Sequence, residues 1–163
     1  MLGAGTSLIA HELGHVSAAL VVGGRPSVGF DKGRPTVYPG IRSDLQPHRQ
    51  LVFSSAGLAV QAVLDEVLLD IPHERSGPFE RGILAGGIGT ALFYVTAGRN
   101  GAVSDVSYIA ETSGLGKTAV SLMVGGVAAL HALRIHHLPR YTHFFTLPAA
   151  DGGVRVGVTM EVQ

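Results

Sequence analysis

Four stretches of this chain run for about 16 to about 21 residues with few charged side chains, near the length needed to cross a ~30 Å hydrocarbon layer as helices. They are Leu2–Val22, Gln50–Leu69, Gly82–Ala97 and Thr118–Leu133. None carries the amphipathic stripe that marks a helix lying on a water-facing core. Composition points the same way. Only 15% of residues are charged and 23 are glycine, where a soluble domain carries about 25% charge, and the mean hydropathy is +0.33. Small residues recur four apart at Gly82/Gly86, Ala85/Gly89 and Gly125/Ala129, which lets helices approach closely. The expected fold is therefore mainly α and membrane-embedded, with about four transmembrane or membrane-embedded helices. A buried helical bundle in a soluble protein is the competing reading.

The connections differ in texture. Pro26–Phe30, then Asp31–Arg34, then Pro35–Tyr38 reads as two short strands about a glycine turn, a polar β-hairpin after the first helix. Pro26, Pro35, Pro39 and Pro47 keep that stretch from being helical. At the other end, Val154, Val156, Val158, Met160 and Val162 alternate with polar or small residues, a period-two strand behind an Asp151-Gly152-Gly153 turn. Phe144–Leu147 is its candidate hairpin partner; otherwise the strand needs an edge in a partner protein. The expected division is a core over residues 1–135 and a β tail over 136–163. The first stretch lacks a basic opening and contains polar residues, so it is read as part of the mature fold rather than a signal peptide.

Formal charge is zero, with 12 basic and 12 acidic residues, so no basic face for nucleic acid is expected. The basic residues split evenly between the two sides of a four-helix arrangement and give no orientation. Cysteine is absent. Any metal must then be held by imidazole and carboxylate.

His11-Glu12-Leu13-Gly14-His15 is an HExxH pattern. On a helix, histidines at i and i+4 share a face and can bind one zinc, and the glutamate beside them can take a proton from a zinc-activated water. A shuffled chain of this composition would contain the pattern in roughly 1–2% of cases, so its setting matters as much as its letters. Three ionisable groups in an apolar helix are costly and seldom kept without a partner. A catalytic zinc takes three protein ligands, and Asp105, in Arg99-Asn-Gly-Ala-Val-Ser-Asp105, is the best third one. A helix-capping role is the plainer reading of that aspartate.

Over residues 5–110 the chain resembles the site-2 protease family of intramembrane zinc metalloproteases. HELGH sits on the first core helix, and a glycine-containing β-loop, Ser27-Val-Gly-Phe30, follows. Arg49 and Ala56-Gly57-Leu58-Ala59-Val60-Gln61 stand where the family carries arginine and Ala-Gly-Pro-x-x-Asn. Asn100 and Asp105 stand where it carries Asn-Pro-x-x-Asp-Gly. Leu58 replaces the family proline, Gln61 its asparagine and Val106 its last glycine. The resemblance implies zinc on His11, His15 and Asp105, Glu12 as catalytic base, and Gly57, Gln61 and Asn100 toward the substrate or oxyanion. It also implies a membrane protein or peptide substrate, and a place in a membrane, with a prokaryotic inner membrane expected. The alternative is a non-catalytic membrane subunit or scaffold with a vestigial or structural metal site.

Other polar and aromatic residues receive plainer readings. Asp65, Glu66 and Asp70 mark the emergence of the second segment into water. His131, His136 and His137, near Arg134 and Arg140, read as an interfacial anchoring cluster, and Phe93 and Tyr94 as an aromatic belt. His48 and His73 read as loop residues beside prolines. Gly86-Gly87-Ile88-Gly89 is no phosphate loop, since no lysine follows it.

Overall fold

The structure is a computed structural model that describes residues 2–31, 33–101, 103–142, 144, 146–148 and 154–156. It is mainly helical. Five helices, α1 (Leu2–Val21), α2 (Pro47–Asp70), α3 (Pro78–Val95), α4 (Asp105–Ser113) and α5 (Lys117–His137), are joined to two small antiparallel hairpins. Strands β1 (Ser27–Asp31) and β2 (Arg34–Tyr38) pair from Ser27↔Tyr38 to Asp31↔Arg34. Strands β3 (Thr146–Pro148) and β4 (Val154–Val156) pair with Leu147 opposite Arg155. The expected turn at 151–153 and the alternating residues 157–163 lie outside the described residues.

Pro47 and Pro78 open α2 and α3, where a missing N–H costs nothing and the fixed φ suits the first turn. Helix α1 is central, packed against both α2 and α3. Its approach to α3 is very close: a methyl on Gly3 would lie 2.1 Å from the Phe79 carbonyl oxygen. One on Gly82 would lie 3.0 Å from the Gly3 Cα, and one on Gly86 2.7 Å from the Ser7 Cβ. The Gly82/Gly86 pair is thus a helix contact. Among the described residues, a methyl on Gly89 would meet nothing within 4 Å, and that glycine lines a cavity instead, while one on Gly125 would meet only Val95, at 3.5 Å.

Among the described residues, α2 and α5 are long and apolar enough to cross a membrane. Helices α1 and α3 are not, because His11, Glu12 and His15 dilute the first and Glu80 and Arg81 the second. Four spans are therefore not established by length and hydropathy. Side chains are distributed unusually. Ser7, His11, Gln50, Ser54, Gln61, Asp65 and His131 are buried, while Leu2, Ile9, Leu20, Val63, Leu122 and Met123 are more than 60% exposed.

Three apolar clusters hold the helices together. Ala19, Val37 and Phe53 pin β2 onto α1 and α2, and Val106, Ala110 and Val120 join α4 to α5. Leu69, Leu84, Ile135, Tyr141 and Phe144 join α2, α3 and α5 to the segment beyond. Arg140 Nη2 donates to the Leu68 and Leu69 carbonyls, at 3.1 and 2.6 Å, satisfying acceptors that the end of α2 leaves open. Core packing in this cluster reaches Tyr141 and Phe144.

Candidate metal centre

Helix periodicity places His11 and His15 one turn apart on the buried side of α1, facing α2. Their Nε2 atoms are 3.0 Å apart. Asp105 Oδ2 lies 3.2 Å from each. Asp105 is the first residue of α4, and the capping is done by Ser104, whose hydroxyl accepts from the Ser107 amide. The aspartate is thereby released from the plainer role that its position suggested. The positive end of α4 favours its negative charge.

The remaining ring nitrogens settle the tautomers. His11 Nδ1 donates to Gln61 Oε1 at 2.9 Å, and His15 Nδ1 donates to the Phe53 carbonyl at 2.8 Å. Gln61 is itself fixed, since its Nε2 donates to the hydroxyls of Ser7 (3.0 Å) and Thr90 (3.3 Å). With both Nδ1 protons committed, neutral rings turn two Nε2 lone pairs and a carboxylate oxygen toward one point. Three such donors repel one another unless a cation lies among them. Ligands at 2.0–2.1 Å on a tetrahedral ion stand ~3.3 Å apart, close to the separations found here. This buried triad can hold a metal ion, with outer partners of the kind that orient metal-binding imidazoles.

Gly57 makes the arrangement possible. A methyl there would sit 2.4 Å from His15 Nε2 and 2.8 Å from His11 Nε2. One turn after Phe53, its bare backbone also leaves the Phe53 carbonyl open to His15. Gly57, expected toward the substrate or oxyanion, thus faces the imidazole rings.

No protein-family model, curated protein or solved structure matches this chain. The reading of the site accordingly rests on its own geometry.

A cavity of about 360 Å³ reaches the triad, lined by Glu12, Val37, Gly89, Phe93, Tyr94 and Tyr108 among others. Glu12 is half-buried, and its carboxylate interacts with the backbone N–H of Val37 in β2. Tyr94 stacks on His11 with ring centroids 5.9 Å apart, and Phe53 tilts over His15 at 4.7 Å.

Several expectations need correction. Phe93 and Tyr94, in the last turn of α3, do not form an aromatic belt; they line the cavity beside the triad. Asn100 is exposed on that turn and does not line the cavity. The Gln61 amide oxygen is taken by His11, and Gln61 lines a second cavity on the other side of α2. Asp65 does not emerge into water, being 2% exposed, with Oδ2 3.4 Å from His131 Nδ1. His131 is likewise buried, whereas His136 and His137 are exposed. Sequence reading did not single out Ser7, Thr90 or Tyr108. Only Ser7 left a signal, one turn before His11 on the same face.

Proposed function

We propose that the chain is a zinc-dependent intramembrane endopeptidase, hydrolysing a peptide bond in or beside the membrane. One observation carries this reading: His11 Nε2, His15 Nε2 and Asp105 Oδ2 converge within 3.2 Å, with both Nδ1 atoms already engaged. Nitrogen–nitrogen–oxygen donor sets with an open fourth position suit catalytic zinc. When bound there, zinc would supply Lewis acidity, polarising a carbonyl and acidifying a water.

The chain's own residues supply the rest. Glu12 faces the cavity beside His11, positioned to take the proton of the attacking water and return it to the leaving amine. The Val37 amide holds that carboxylate against β2. Pro35, Thr36 and Val37 of β2 form one wall of the cavity, where an unwound substrate segment can lie alongside as an added strand. Phe93 and Tyr94 close the opposite wall and limit water. The inverted distribution of side chains supports four embedded helices, since lipid tolerates exposed leucine and penalises exposed charge.

The test is metal analysis of the purified, dialysed chain, paired with cleavage of a tagged single-span peptide co-reconstituted in liposomes. One zinc per chain is expected, lost in His11→Ala, His15→Ala and Asp105→Ala. Glu12→Gln keeps the metal and stops cleavage. Wild-type turnover by Glu12→Gln would overturn the role of that residue, and absence of stoichiometric metal would overturn the whole assignment. Metal bound without cleavage by any form would favour the non-catalytic subunit.

A further inference from the structure

Helices α1 and α3 lie side by side and run the same way. A methyl on Gly82 would meet the Gly3 Cα at 3.0 Å, and four residues on, one on Gly86 would meet the Ser7 Cβ at 2.7 Å. One turn further, the same register sets Thr90 beside His11. Gln61 bridges the two: its Oε1 accepts from His11 Nδ1 at 2.9 Å, and its Nε2 donates to the Thr90 hydroxyl at 3.3 Å. Gly89, one residue before Thr90, therefore lies about 1.5 Å along the helix axis from the level of His11.

Close approach of the two backbones accounts for Gly82 and Gly86 but not for Gly89. Among the described residues, no atom would come within 4 Å of a methyl there. Gly89 borders instead the cavity that reaches the triad. Ala85, Gly89 and Phe93, at steps of four, line it from one face of α3; Ala4, Leu8 and Glu12, also at steps of four, line it from one face of α1. By the register of the two helices, position 89 falls between the levels of Leu8 and Glu12. The cavity wall thus lacks one side chain, close to the carboxylate that faces the triad and amid apolar neighbours.

We propose that this vacancy is a subsite for a large apolar side chain next to the scissile bond, so that preferred substrates carry leucine or phenylalanine there. The proposal rests on the peptidase reading, which makes the ligand a peptide cut at the triad. Leu8, Ala85 and Phe93 give such a side chain packing contacts, while a charged or amide side chain would lose its partners there. Glycine at 89 sets the size limit, because every carbon added at that position shortens the subsite.

The tagged single-span peptide is made in versions that differ only in the residues flanking the cleaved bond, alanine, leucine or phenylalanine. Cleavage in liposomes is measured as kcat/KM for wild type, Gly89→Ala and Gly89→Leu. Wild type is expected to favour the leucine and phenylalanine versions over alanine by roughly tenfold or more, the scale of discrimination that an apolar pocket gives. Gly89→Leu should reverse that order, with Gly89→Ala in between. Both variants should fold and keep their metal, since alanine and leucine are better helix formers than glycine and the position is uncrowded. The chain has no cysteine, so Gly89→Cys in the Glu12→Gln background supplies a single thiol and a readout without turnover. The leucine peptide should slow maleimide labelling of that thiol, and the alanine peptide should slow it less. Cleavage by wild type that ignores side-chain size, an equal effect of Gly89→Leu on every version, or a thiol that the leucine peptide leaves unprotected would each overturn the subsite and leave the peptidase reading standing. No cleavage of any version by wild type would overturn the peptidase reading itself, and this proposal with it.

Discussion

At the residue scale, Gly57 and Gln61 show how much of a candidate metal site lies outside the three residues that could hold the ion. Alanine at 57 is a better helix former than glycine by about 1 kcal/mol, so Gly57→Ala should not unfold α2. Its methyl would nevertheless overlap both imidazoles. The expected result is a helical, folded protein that has lost its metal, read by circular dichroism and metal analysis on the same sample. Gln61→Ala works differently: it leaves His11 in place but frees its ring to rotate. Loss of such an outer partner typically lowers metal affinity 10–100-fold, measurable by competition with a chelator of known affinity. The ligands themselves were legible, because two histidines four apart on a helix can only share a face. Asp105 followed from the need for a third ligand. The role of Gln61 was not legible, since it depends on how α1 lies against α2. Asp65 and His131 misled for a related reason: a charged residue near a segment's end reads as exposed until a neighbouring helix covers it.

At the scale of elements, the first hairpin and four of the five helices were readable from pattern alone. Proline and glycine punctuation marked the hairpin, and apolar runs marked α1, α2, α3 and α5. Helix α4 was missed. At Asp105–Ser113 it is too short for an apolar run, yet its ends are written in Ser104, the N-cap, and in Gly114, left-handed at φ 75°. Ser104→Ala should cost about 1 kcal/mol of cap stabilisation and loosen the helix end that presents Asp105. Weaker metal binding without loss of the other helices is the expected readout. The segment after α5 makes a separate prediction. Tyr141 is buried and donates its hydroxyl to Glu80. Burial first, and then that carboxylate, push its pKa up to about 12. The neutral phenol therefore stabilises the fold fully below the ordinary tyrosine pKa of about 10, and this contribution is lost as pH rises through about 12. Absorbance at 295 nm should show one late-titrating tyrosine, absent in Tyr141→Phe.

At the scale of the whole molecule, the decisive feature is which side chains face out. In water, a helix bundle hides leucine and displays charge; here Leu122 is 71% exposed while Asp65 and His11 are buried. Among the described residues, hydropathy and length single out only α2 and α5, because His11, Glu12 and His15 lower the mean hydropathy of α1, and its outward face is visible only once its neighbours are placed. That face is apolar at Ile9, Leu13 and Leu20. The consequence can be tested with one exposed position. In a water-soluble bundle Leu122→Arg is nearly neutral, since surface substitutions usually change stability by about 0.5 kcal/mol or less. In lipid the same change places a charge within an apolar helix, at a cost of up to about 2.5–3.5 kcal/mol at the centre of a span. Wild-type chain is expected to stay with the membrane fraction through an alkaline carbonate wash, and Leu122→Arg to be inserted less or extracted more. A Leu122→Arg protein that is as abundant and folded as wild type in detergent-free buffer would show that water, not lipid, is the solvent of this surface.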